Sequence, residues 1–235
     1  MTDTSTLVAT RLGLHRVAAY VVSPARRQAT GNEIALVPAP GGFGTPAFGD
    51  GETLRVDGTR LVRRRGGREE AVELTTLRAA GAFAGVEPDV EWAARFDVPP
   101  PGDLDAPLAI DAGAAGRLAA FWALAAEALA ALRAKAGSED AASEVILWPE
   151  HFDVAIDLGD EAAGRRATYG GSPGDDAHAE PYLYVAPWTR RDGAFWNDGA
   201  FGGASLPEPE LRQADDARAA AVAFFERGRA ALAGR

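Results

Sequence analysis

Cysteine is absent from the 235 residues. That removes disulfides, thiolate metal ligands and a cysteine nucleophile together. Long apolar runs are missing as well. The most apolar stretches are alanine-rich and interrupted, so no segment is read as reaching the ~20 residues that span a bilayer, and no membrane partner is expected. The opening MTDTSTLVAT has no basic segment followed by an apolar one. No signal peptide is read there, and the expected location is the cytoplasm.

Positive charge is in deficit. Lys and Arg number 24 against 34 Asp and Glu, a net charge of -10. Nucleic-acid binding draws on counterion release by a positive surface, so no nucleic-acid partner is expected. The one basic cluster, Arg60, Arg63, Arg64, Arg65 and Arg68, reads as the solvated face and end of a hairpin. Several catalytic signatures are missing too: GxGxxG and HExxH do not occur. Gly41-Gly42-Phe43-Gly44-Thr45-Pro46 lacks the lysine of a phosphate-binding loop and reads as a tight turn that needs glycine. Ser172 precedes a proline and has no base at a fixed spacing, which argues against a serine hydrolase.

What is present suffices for a folded core: 47% of the residues are apolar, an ordinary share for a globular chain. Helical spacing of Leu7, Leu14, Val17, Ala18 and Val21 predicts a helix over about 5–22, which Pro24 should end or kink. His15 falls on the adjacent stripe, with Val8, Leu12, Ala19 and Val22, and is read as a core or boundary histidine with a satisfied hydrogen bond. Short strands follow over 33–38, 53–56, 60–64 and 70–74, with Asp57-Gly58 turning a hairpin. A short helix spans about 76–84. Residues 87–108, with Pro99-Pro100-Pro101, form a connector pinned by Trp92 and Phe96. One domain is expected over 1–235, with that connector as the candidate boundary between halves 1–86 and 109–235.

Asp111 caps a long helix predicted to run to about Ala136, with Leu118, Phe121, Trp122, Ala125, Leu129 and Leu132 on its apolar side. After it, Phe152, Val154, Ile156 and Leu158 alternate with His151, Asp153, Ala155 and Asp157, the period of a half-buried strand. Further strands are read at 165–170 and 182–186, and a last helix at 209–232. Segregated helices and strands with short loops predict an α+β fold, its antiparallel sheet or sheets covered by the long central helix and the C-terminal helix.

Residues two apart share a face of a strand. His151 and Asp153 should therefore lie together, as should His178, Glu180, Tyr182 and Tyr184 if 177–184 is extended. If these two strands are neighbours, His151, Asp153, His178 and Glu180 form either acid–base pairs or a nitrogen–oxygen set for Zn²⁺, Mn²⁺ or Fe²⁺. Trp148, Glu150, Asp175, Tyr182 and Tyr184 are the candidate contacts to a small molecule. A solvated sheet face accounts for the same pattern.

Leu147-Trp148-Pro149-Glu150-His151-Phe152-Asp153, Gly171-Ser172-Pro173-Gly174-Asp175 and Glu180-Pro181-Tyr182-Leu183-Tyr184-Val185 resemble the pattern of a family of bacterial proteins of unknown function. Glu150 stands where that family has histidine. The resemblance implies one coherent module and brings no activity with it. Two readings remain: an enzyme or metalloprotein using His151, Asp153, His178 and Glu180, or a non-enzymatic module that binds a small molecule or a partner chain. For the second, Phe195, Trp196 and Phe201 in a glycine-flanked loop either line the mouth of a site or fold back as a minor core.

Overall fold

The structure is a computed structural model describing residues 3–31 and 33–234. It divides into two compact units. One comprises the chain up to Ala120 together with Leu147–Phe152; the other comprises Phe121–Ile146 and the chain from Asp153 onward.

In the first unit, α1 (Thr4–Val17) buries Leu7, Leu14, Val17 and His15, as the spacing predicts. Pro24 does not end the helical run. A π-turn at Ala18–Val22 closes on a bond from the Ser23 N–H to the Ala18 carbonyl, and α2 (Ser23–Thr30) continues to Gly31. Proline sits in the first turn of α2, where its missing N–H costs little.

Five strands follow: β1 (Val37–Ala39), β2 (Gly42–Gly44), β3 (Thr53–Asp57), β4 (Arg60–Arg65) and β5 (Arg68–Glu73). They pair antiparallel in sequence order. Gly41 turns the chain with φ 79°. Gly42 and Gly44 are strand residues, however, and a β-carbon on either would come within 2.8 Å of a β3 carbonyl oxygen. In the next hairpin Asp57 pairs with Arg60, so Gly58 (φ 62°) and Thr59 form the two-residue loop. Three arginines of β4 face glutamates, Arg60 opposite Glu73, Arg63 opposite Glu70 and Arg64 opposite Glu69, and Arg63 Nε lies 2.7 Å from Glu52.

Helix α3 (Leu77–Ala84) starts at Thr76, whose hydroxyl accepts the Ala79 N–H. The connector contains a short helix, α4 (Val90–Ala93), capped by Asp89. Trp92 packs on Phe96 at 4.7 Å and beneath the Arg27 guanidinium. The carbonyls of Pro99 and Pro100 accept bonds from Tyr20 (3.1 Å) and Arg16 (2.8 Å). Residues 87–108 thus lie wholly within the first unit.

Helix α5 (Ala112–Arg133) carries the chain from the first unit into the second. Asp111 caps it, accepting the Ala114 N–H at 2.8 Å. Contrary to the reading of its composition, α5 is long and apolar enough to cross a membrane. Its alanines raise the mean hydropathy without any large-residue run. Leu118, Phe121, Trp122, Ala125, Leu129 and Leu132 are buried, which is the pattern of a core helix.

A 3-10 turn (Ser138–Asp140) and β6 (Ile146–Trp148) follow, the division between the units falling within β6. In the second unit β7 (Asp153–Leu158), β8 (Ala167–Ser172), β9 (Tyr182–Pro187) and β10 (Ala204–Pro207) lie side by side in that order, all antiparallel. One face presents Val154, Ile156, Leu158, Tyr169, Leu183 and Val185, all buried. Helix α5 lies against it at Gly171, where an added β-carbon would stand 2.7 Å from that of Ala125. The expected C-terminal helix is two: α6 (Glu208–Leu211) and α7 (Ala217–Leu232), the latter capped by Asp216. Phe225 of α7 meets Tyr169 edge-on at 6.1 Å. The α+β architecture, with antiparallel sheets and these two covering helices, is as the sequence predicts.

Candidate functional site

The opposite face of β7–β9 carries the polar residues. The register places Tyr182 across from Ser172, Tyr184 across from Gly170, and Gly170 across from Ala155. Because β8 lies between β7 and β9, the direct pairing assumed from the sequence does not occur. Nor does strand structure extend to every nominated residue. His151 is exposed in a turn, and Phe152 has φ 59°. Residues 177–180 are bends and irregular chain, so His178 and Glu180 precede β9 and do not belong to it.

The expected metal set is therefore not assembled. Among the described residues, no group of three or more His, Asp or Glu is placed to hold a metal ion. His151, with Trp148 and Glu150, belongs to the first unit, whereas Asp153, His178 and Glu180 belong to the second. Trp148 is 36% exposed on β6, and Glu150 lies in the turn after it.

Five nominated residues do come together, in two hydrogen-bonded groups. In one, the Tyr184 hydroxyl donates to Asp153 across the width of β8. Glycine makes this reach feasible: a β-carbon at Gly170 would lie 2.5 Å from the Tyr184 ring. Burial, and then the Asp153 charge, push the Tyr184 pKa well above its ordinary value. The phenol therefore stays protonated and keeps donating.

In the other group, the Tyr182 hydroxyl donates to Asp175 at 2.5 Å. Asp175 also accepts the backbone N–H groups of Ala177 and His178, both at 2.8 Å. Burial alone would raise the Asp175 pKa, but the bonds from Tyr182, His178 and Ala177 outweigh it and the net shift is downward. The Tyr182 pKa moves up, through burial and then Asp175. The His178 ring lies between two carboxylates, Nδ1 3.3 Å from Asp175 and Nε2 2.9 Å from Asp198. It also packs on Tyr182, with centroids 4.4 Å apart. Glu180 is half-buried in the turn that leads into β9.

Sequence reasoning missed Asp198 and gave Phe201 no fixed place. Asp198 is 7% exposed, and its backbone bridges to Gly203, closing a loop with Phe201 near the tip. Phe201 then lies 6.4 Å from Tyr182 and 6.0 Å from Tyr184. The loop signal was there in the flanking glycines; the partner was not, because His178 and Asp198 are brought together only by the path of β9. Phe195 folds the other way, onto Phe224 of α7 at 5.6 Å. Trp196 packs edge-on against Phe195 and stays half-exposed.

Two expected results arise here. Gly170→Ala should lift the Tyr184 ring off β8 and break its hydrogen bond to Asp153, costing about 2 kcal/mol in chemical denaturation. An unchanged denaturation midpoint would mean that the ring slides aside at no cost. Trp196→Ala should keep the far-ultraviolet dichroism and cost less than ~2 kcal/mol, since the ring is only half-buried. A loss of ~3–5 kcal/mol would instead make it a core residue.

Comparison with family models, with curated proteins and with solved structures finds no match for this chain.

Proposed function

We propose that the second unit binds a small organic cation on the polar face of β7–β9, and that the protein acts as a binding module. The observation that carries this is the pair of carboxylate–tyrosine bonds, Asp175–Tyr182 and Asp153–Tyr184, with Phe201 against both tyrosines. Aromatic faces beside carboxylates attract a cation through both the ring quadrupole and the charge, ~0.5–2 kcal/mol per ring contact. The groups are held in place by their mutual bonds, so little ordering entropy is lost on binding. The residues that carry the family resemblance, Asp153, Ser172, Asp175, Tyr182 and Tyr184, fall on this face, which supports reading that pattern as a ligand site.

Binding is favoured over acyl transfer by how the polar groups are engaged. Ser172 Oγ accepts the Gly174 N–H at 3.2 Å and bonds to the Tyr182 phenol, not to an imidazole. Both nitrogens of His178 are directed at carboxylates. A serine nucleophile needs a base within hydrogen-bond reach.

Choline and its uncharged isostere 3,3-dimethylbutanol, titrated by calorimetry, test the proposal. Choline should bind, and the alcohol should bind at least about tenfold more weakly, a difference of ~1.4 kcal/mol. Phe201→Ala and Asp175→Asn should each weaken choline binding while leaving the dichroism spectrum intact. Equal binding of the two compounds, or no choline binding at ~10 mM, the weakest affinity worth measuring on this scale, sinks the proposal.

A further inference from the structure

The covered face of the same sheet leads to a cavity of about 420 Å³ at the C-terminal ends of α5 and α7. Leu132, Leu158 and Ala230 give it an apolar side. Its rim mixes both signs of charge: Lys135, Arg165 and Arg229 with Glu139, Asp140 and Glu226. We propose that this cavity is a second binding site, independent of the polar sheet face, for a small zwitterion with an apolar side chain, the chemistry of a free amino acid.

Three features of the lining carry the proposal. The first is size: 420 Å³ falls within the range of small-molecule sites, ~300–1,000 Å³. The second is charge pattern. A simple anion would meet three carboxylates, and a simple cation would meet three basic groups. A molecule bearing one charge of each sign satisfies both, and its side chain covers the apolar side.

The third is the division between groups built into the wall and exposed groups at the rim. Arg229 is locked, donating to the Lys135 carbonyl at 3.0 Å and to Asp140. Asp140 is held in turn by the Gly137 N–H at 2.8 Å. These two build the wall. Arg165 and Lys135, with side chains 46% and 58% exposed, sit at the rim in solvent-exposed ion pairs with Asp160 and Glu226, which a ligand carboxylate can enter. The Glu139 carboxylate, whose hydrogen bond is a 3.5 Å contact from Ser138, is available to an ammonium group. The Tyr169 hydroxyl, outside the lining itself, is buried without a hydrogen-bond partner among the described residues. The charges of Arg229 and Asp140 reach it. Buried polar atoms left in that state are uncommon and concentrate where a water, ion or ligand completes them.

The full chain is titrated calorimetrically with L-leucine, with L-leucinamide (no carboxylate) and with N-acetyl-L-leucine (no ammonium). L-leucine should bind, and each capped analogue should lose at least about tenfold in affinity. Arg165→Ala should weaken L-leucine and erase the discrimination against the amide. Glu139→Gln should weaken it and erase the discrimination against the N-acetyl form. Both substitutions replace solvent-exposed side chains, so dichroism is expected to stay unchanged. Absence of L-leucine binding at ~10 mM, or capped analogues that bind as well as L-leucine, overturns the proposal. So do variants that bind L-leucine as the parent does. Choline carries no carboxylate, so failure at one of the two sites leaves the other unaffected.

Discussion

Gly171→Val is expected to destabilise the second unit by about 3 kcal/mol, the upper part of the range for overpacking a close-packed interior. At Gly171, β8 and α5 are packed closely together. A β-carbon there would stand 2.7 Å from the Ala125 methyl and 3.2 Å from the Phe121 ring. Ala125 is 0% and Phe121 2% exposed, so neither has room to withdraw. The strand cannot retreat either, because Gly171 pairs with Val154 on one side and Leu183 on the other. Valine adds two further methyl groups to a site already too small for one. Urea denaturation followed by far-ultraviolet dichroism measures the effect, and Gly171→Ala should fall between parent and valine variant. A valine variant within ~0.5 kcal/mol of the parent, the scatter of surface substitutions, would mean that α5 does not pack here.

The second large effect is a pH dependence. His15 is 9% exposed, with Nε2 2.9 Å from the Pro149 carbonyl and its ring stacked on Phe152 at 4.9 Å. Burial drives its pKa from 6.5 down to about 4, against the pull of the Pro149 and Glu150 backbone groups. The folded pKa is below the unfolded one, so between about pH 4 and 6.5 the unfolded chain holds the extra proton. Stability from this residue is full above pH 6.5, declines as pH falls through the window, and is lost by about pH 4. At 1.36 kcal/mol per pKa unit the loss is about 3 kcal/mol. His15→Gln keeps a donor for the Pro149 carbonyl but does not titrate. Subtracting its denaturation free energy from that of the parent between pH 7 and pH 4 isolates the histidine. A flat difference would show that the ring is hydrated or already charged in the folded state.

His15 also shows what a linear pattern carries. Its place on the second apolar stripe of the helix was legible from spacing, because burial on a helix repeats every three or four residues. Its partner Pro149 lies 134 positions away and was not. The same contrast holds at the strand entry. The alternation from His151 to Leu158 reads as one strand, yet β7 begins at Asp153, because Phe152 takes a left-handed conformation between the His15 and Phe43 rings. A period of two cannot register a residue whose backbone has turned away while its side chain stays apolar.

Local chemistry alone determined the helices, the antiparallel strands, the Thr76 and Asp111 caps and the hairpin at Gly58, since each depends on interactions within a few residues. Tertiary structure decided the rest. The order β7-β8-β9-β10 keeps β7 from pairing with β9 and so dissolves the expected metal set. The same order lays Gly170 under Tyr184, so the tyrosine reaches Asp153 across a strand that would otherwise separate them. Asp198 joins His178 only after the chain has run up β9 and turned back. Strand order and long-range register depend on contacts between distant segments. No local period encodes them, so the residues of the site were legible one by one and their grouping was not.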